Sequence, residues 1–68
     1  MRPITELIDY RKANTLSLAE VADKLDVTAA AVSRWERGKR YPDRKNLIKI
    51  AELVGAPASQ IAGFGEQA

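Results

Sequence analysis

Thr28-Ala29-Ala30-Ala31-Val32-Ser33-Arg34-Trp35-Glu36-Arg37-Gly38 is the stretch around which the chain is organised. It predicts one short helix over 28–37. The Thr28 hydroxyl suits an N-cap, and Gly38 supplies the left-handed backbone with which helices commonly end. Between these caps Ala31, Val32 and Trp35 recur at helical spacing and form an inward stripe. Membership of that stripe assigns Trp35 to the core rather than to a stacking platform. The opposite face is Ala29, Ala30, Ser33, Arg34 and Arg37, small residues followed by two long cations. Such a face can be pressed against a large flat partner while the arginines reach around it.

The composition narrows what that partner can be. With 68 residues the chain (1–68) is expected to form a single small domain, one that buries roughly 60% of its unfolded surface and is marginally stable. Its 46% hydrophobic and 29% charged residues indicate a globular chain rather than a disordered one. Cysteine and histidine are both absent, which excludes a disulfide framework and a zinc site of the usual kind. Neither metal nor cofactor is expected. Ser17, Ser33 and Ser59 have no histidine to activate them, and no glycine-rich loop leads into a helix, so an enzyme is not expected. Apolar runs fall short of the ~20 residues of a membrane span, and the N-terminus lacks a signal-peptide layout. Cytoplasmic residence, near the nucleoid, is the expectation.

The net charge of +2 says little until its distribution is considered. From Arg34 to Lys49 there are seven cations and two anions, a net of +5, whereas Met1 to Asp26 carries −1. A cationic surface confined to one region is the footprint of a face that meets a polyanion backbone. A solvated basic loop would share this charge pattern, and it is the adjoining helix that favours the first reading.

The remaining chain reads as further short helices. Pro3 favours a first helical turn, and Ile4, Leu7, Ile8 and Arg11 follow at i, i+3, i+4 and i+7, predicting a helix over 3–13. Arg11 ends an apolar stripe, so it either snorkels to solvent or lies buried against a carboxylate. Asn14-Thr15 makes a turn. Ser17-Leu18-Ala19-Glu20 is a capping box that starts a helix over 18–25, with Leu18, Val21, Ala22 and Leu25 inward. Asp26-Val27 leaves room only for a sharp turn into the next helix. Pro42 stops continuation past the basic loop Lys39-Arg40-Tyr41. Asp43 then caps a helix over 43–54 with Leu47, Ile50, Ala51 and Val54 inward, ended by Gly55. Pro57 opens a short fifth helix over 58–62, with Ile61 and Phe64 as candidates to pack back, and 63–68 is expected to fray.

In this arrangement the chain resembles the Cro and repressor-type helix-turn-helix proteins, the XRE family. The resemblance covers Ile4 to Phe64. It is carried by Ser17-x-x-x-Val21-Ala22, Val27-Thr28, Val32-Ser33-x-Trp35-Glu36-x-Gly38, Pro42 and Leu47-x-x-Ile50-Ala51-x-x-x-Gly55. It implies an all-α fold, a compact bundle of about five short helices like the lambda repressor domain, with the second and third forming the helix-turn-helix. Two positions depart from the family pattern. Leu18 stands where glutamine usually supports a phosphate contact, and Asp26 stands where the tight turn usually carries glycine. Aspartate tolerates a left-handed backbone better than most residues, so the turn is expected to survive.

The resemblance further implies a double-stranded DNA partner, with helix 28–37 in the major groove of a near-palindromic operator and the chain acting as a transcriptional regulator, by expectation a repressor. Ala29, Ala30, Ser33 and Arg34 are then the candidate base contacts, with Ala31 at their edge. Alanine can touch a thymine methyl, and Arg34 can fork onto guanine O6 and N7. Plain helix propensity for the alanines and a phosphate contact for Arg34 are the alternatives. Arg37, Lys39, Arg40 and Arg44 are candidate phosphate clamps, joined by the Tyr41 hydroxyl and by Ser17 at the start of its helix. The family pattern supports an ion pair between Arg11 and Glu36. By analogy a homodimer, formed free or only on DNA, would use Pro57, Ala58, Ile61 and Phe64. An antitoxin or a helical protein adaptor on the same fold is the competing function.

Overall fold

The computed structural model describes residues 2–66. Four α-helices follow in order, α1 (Thr5–Ala13), α2 (Leu18–Leu25), α3 (Ala29–Glu36) and α4 (Arg44–Val54), and two 3₁₀ turns, Ala58–Gln60 and Phe64–Glu66, come after them. The described chain is all-α, with four α-helices where about five were expected.

Short polar side chains start three of the helices by taking up backbone donors that have no partner inside the helix. At α2 the capping box is complete: Ser17 Oγ accepts from Glu20 N–H at 3.1 Å, and the Ser17 N–H donates to Glu20 Oε1 at 2.8 Å. Thr28 Oγ1 accepts from Ala31 N–H at 3.1 Å, and Asp43 Oδ1 from Asn46 N–H at 2.9 Å. The first helix has no side-chain cap. Instead the Ile4 N–H donates to the carbonyl of Trp35 at 3.2 Å, which pins the start of α1 to the end of α3, and the non-helical ψ of 89° at Ile4 puts the helix start at Thr5. The turn between α2 and α3 passes through Asp26 at φ 58°, ψ 46°, the left-handed conformation that glycine would otherwise supply.

The buried side chains form one cluster drawn from every helix. Ile4, Leu7, Val21, Val32, Ile50 and Ile61 are closed off from solvent, and Trp35 joins them at 5% exposure. Each such side chain contributes about 1.5–3 kcal/mol by leaving water. Ala22, also buried, lets α2 lie close to its neighbours, and α2 packs chiefly on α3 while α1 and α2 both lean on α4.

The fifth helix predicted over 58–62 is replaced by a 3₁₀ turn. Gln60 and Ile61 donate to Pro57 and Ala58 at 2.9 and 3.1 Å, after which Ile61 adopts an extended ψ of 135°. A longer helix would need the Ala62 N–H to point back along the chain, but that group donates to Glu6 Oε1 at 3.0 Å. Residues 64–66 form a second such turn rather than a frayed end; 67 and 68 lie outside the described residues.

Arg11 joins α1 to the last turn of α3. Its Nε donates to Glu36 Oε2 at 2.7 Å and its Nη2 to Glu36 Oε1 at 3.0 Å, while Nη1 donates to the Leu16 carbonyl at 3.3 Å. The side chains are 22% and 9% exposed, so the arginine is sequestered rather than snorkelling to solvent. Its hydrogen bond to Glu36 raises the Arg11 pKa above the ordinary value.

Arg11→Ala, which strands the Glu36 carboxylate, is expected to lower stability by about 2–4 kcal/mol in urea denaturation, whereas Arg11→Met with Glu36→Leu recovers most of the loss. Trp35→Ala is expected to cost about 3–5 kcal/mol, enough to shift most molecules toward the unfolded state in a thermal melt followed by circular dichroism.

Candidate nucleic-acid interface

The inner side of α3 is spent on the core, which decides what its outer side can offer. Val32 and Trp35 are buried, and Ala31 packs against the same cluster, so Ala31 drops out of the candidate reading face. Ala29, Ala30, Arg34 and Arg37 are exposed and Ser33 is half-buried. With only methyl groups over its first turn, α3 can approach a flat surface at backbone distance, and Arg34 extends one turn later.

Past α3 the chain wraps back around the helix end. Gly38 takes φ 72°, and the Lys39 and Arg40 amides donate to the Arg34 carbonyl at 2.9 and 3.4 Å. The side chains of Lys39 and Arg40 are exposed, as are those of Arg44 and Lys45 in the first turn of α4. Cations at a helix N-terminus oppose the helix dipole at a cost of about 0.3–1 kcal/mol each. Arg44 and Lys45 therefore do not serve the stability of α4 by their charge; they do extend a basic surface.

At the start of α2, the exposed Ser17 uses its oxygen as an acceptor for the Glu20 amide. Its own N–H is taken by Glu20. That bond holds the Glu20 carboxyl below the usual carboxylate range, which places an anion beside the expected phosphate position. Leu18, in place of the usual glutamine, is half-buried against the core.

Three assignments change. The Tyr41 hydroxyl donates to the Ala62 carbonyl at 2.8 Å, so its proton is committed within the fold rather than offered to phosphate. Ile61 is 2% exposed and belongs to the core; a surface between copies cannot use it, although Pro57 and Phe64 are exposed and Ala58 is half-buried. Lys49, counted with the basic region, is half-buried and donates to the Leu25 carbonyl at 3.3 Å, closing the end of α2. The contacts of Tyr41 with Ala62, of Lys49 with Leu25 and of Glu6 with Ala62 span more than twenty positions, and no local pattern signals them. Among the described residues no helix is long and apolar enough to cross a membrane.

The chain is similar to proteins named as transcriptional regulators. The chain is 37% identical over 57 residues to an uncharacterised HTH-type transcriptional regulator of Haemophilus influenzae, covering 84% of this chain and 24% of that protein. It is 28% identical over 57 residues to the cryptic phage CTXphi transcriptional repressor RstR of Vibrio cholerae, covering 84% and 51%. The chain thus spans about a quarter of the first relative and about half of the second. Its fold matches the P22 c2 repressor crystallised with a synthetic operator at a TM-score of 0.75 and 22% identity, over 87% of this chain and 91% of that one. The solution structure of the P22 c2 repressor DNA-binding domain matches at a TM-score of 0.71 and 19% identity, over 93% and 79%. The helix-turn-helix family model matches residues 7–61, and the chain belongs to that family, the Cro and repressor type that its motifs resemble.

Proposed function

We propose that this chain binds double-stranded DNA sequence-specifically as the DNA-binding part of a transcriptional regulator, by expectation a repressor, with α3 in the major groove. The observation that carries the reading is the composition of the exposed α3 face. Alanine methyls at 29 and 30 and the exposed Arg34 sit on one side of a helix whose other side is buried, flanked by exposed Arg37, Lys39, Arg40 and Arg44. The shared fold with the P22 c2 repressor, described in complex with an operator, supports the same docking.

In this reading Ala29 and Ala30 contact thymine methyls, Ser33 approaches a base edge, and Arg34 forks onto a guanine. Few hydrogen bonds then specify the sequence, and methyl contacts with DNA shape supply the remainder. Arg37, Lys39, Arg40, Arg44 and the Ser17 hydroxyl hold phosphates and set the register without reading sequence. Two copies on a near-palindromic operator would sit about 34–36 Å apart, one helical turn of DNA. With Ile61 in the core, a contact between copies would draw on Pro57, Ala58 and Phe64. The chemistry calls for no catalytic group, metal or cofactor.

Selection of bound duplexes from a random pool tests the reading: a recurrent half-site motif supports it, and recovery of no motif favours a protein adaptor on the same fold. On the selected site, Arg34→Ala is expected to lose about 1–3 kcal/mol of discrimination at one G·C position while other positions keep their preference. Arg40→Ala should weaken binding evenly across sequences and reduce the log-log salt slope by about 0.9, as read from titrations at several salt concentrations.

A further inference from the structure

Ala62 has both of its backbone polar groups engaged by side chains from distant parts of the chain. Its N–H donates to Glu6 Oε1 on α1 at 3.0 Å, and its carbonyl accepts from the Tyr41 hydroxyl at 2.8 Å. The next residue, Gly63, is buried with φ +83°, and a Cβ placed there would come within 2.7 Å of Tyr41 Cε1. On the other side of Ala62, Ile61 is in the core. The tyrosine ring therefore lies directly against the Gly63 backbone, and its hydroxyl closes the clasp on the preceding carbonyl. Tyr41 itself belongs to the segment between α3 and α4, next to Lys39 and Arg40 and before the buried Pro42.

We infer that Tyr41 is a positioning residue for the cationic loop 37–43: clasped by Ala62 and Gly63, it holds Lys39 and Arg40 where they meet the phosphate backbone. The inference rests on the DNA-binding reading above. One end of the loop is tied to α3 by backbone amides: Arg37 on the Ser33 carbonyl at 3.0 Å, Gly38 on that of Trp35 at 3.3 Å, and Lys39 and Arg40 on that of Arg34 at 2.9 and 3.4 Å, the last a long bond. At the other end Pro42 is buried and Asp43 caps α4, and the clasp fixes Tyr41, the residue next to Arg40. A loop ordered before binding does not lose that freedom on the DNA, so its cations bind more tightly than the same charges on a slack segment. The Ala62-Gly63 segment thereby becomes a working part of the nucleic-acid face.

Tyr41→Phe keeps the ring and removes the donor, which makes it the decisive variant; Gly63→Ala acts on the clasp from the opposite side but also strains a left-handed backbone. Binding of each folded protein to a short random-sequence duplex is measured across salt concentrations, together with amide hydrogen exchange. Tyr41→Phe is expected to bind about 3–10-fold more weakly, with a salt slope smaller by about 1, because one phosphate contact is no longer held. The Lys39 and Arg40 amides are expected to exchange about tenfold faster under conditions where the protein remains folded. A general loss of stability lowers the folded fraction without altering the slope, so weaker binding at an unchanged slope overturns the inference. Binding at wild-type strength and slope also overturns it. If the unaltered chain ignores the duplex even at low salt, the DNA-binding reading fails, and the exchange of Lys39 and Arg40 alone decides the clasp, unchanged rates overturning it.

Discussion

At the C-terminal end of α3 three parts of the chain converge on one helical turn. The Ile4 amide donates to the Trp35 carbonyl, the Arg11 guanidinium forks onto Glu36, and the Lys39 and Arg40 amides close on the Arg34 carbonyl. A helix of 8 residues does not hold its shape alone in water, and its stability has to come from tertiary contacts. For α3 those contacts come from Ala31, Val32, Trp35 and the two helix ends, because Ala29, Ala30 and Arg34 face outward. Loss of the Arg11 fork would leave a carboxylate that is 9% exposed without its cation, at the point where α1 and α3 meet. The rest of the bundle can be viewed as the means of presenting one sparsely furnished helix face at a fixed angle.

The same division between holding and presenting runs through the charges. Arg11 and Lys49 face inward and satisfy a carboxylate and backbone carbonyls, so they serve the fold. Arg34, Arg37, Lys39, Arg40, Arg44 and Lys45 face solvent, two of them at a helix start where their charge is unfavourable to the helix. Glu20 departs from this order. It completes the α2 cap, and in doing so leaves a carboxylate at the end of the helix that is expected to approach phosphate.

The last residues described change role most. Ile61 fills the core, Ala62 bridges α1 and the basic loop, and Gly63, having no Cβ, leaves space for the Tyr41 ring. In a linear reading this segment is a short helix and a surface between copies. In the folded chain it braces the cationic loop and leaves Phe64 and Pro57 outside.

Local chemistry was enough for much of this protein. The caps at Ser17, Thr28 and Asp43, the left-handed Asp26 and the inward stripes of α2, α3 and α4 all follow from residues within one or two turns of each other, where helix periodicity and capping act. The small-residue face of α3 was visible for the same reason, since burying one stripe exposes its opposite. Arg11 and Glu36 could be paired only through the family resemblance, as they lie 25 positions apart. What the tertiary structure alone decided were the long-range partners. Tyr41 turned to Ala62 rather than outward, and Lys49 turned to the end of α2. A single side chain's type does not specify which distant carbonyl or cavity will be within reach, and buried backbone groups accept whichever donor the packing brings to them.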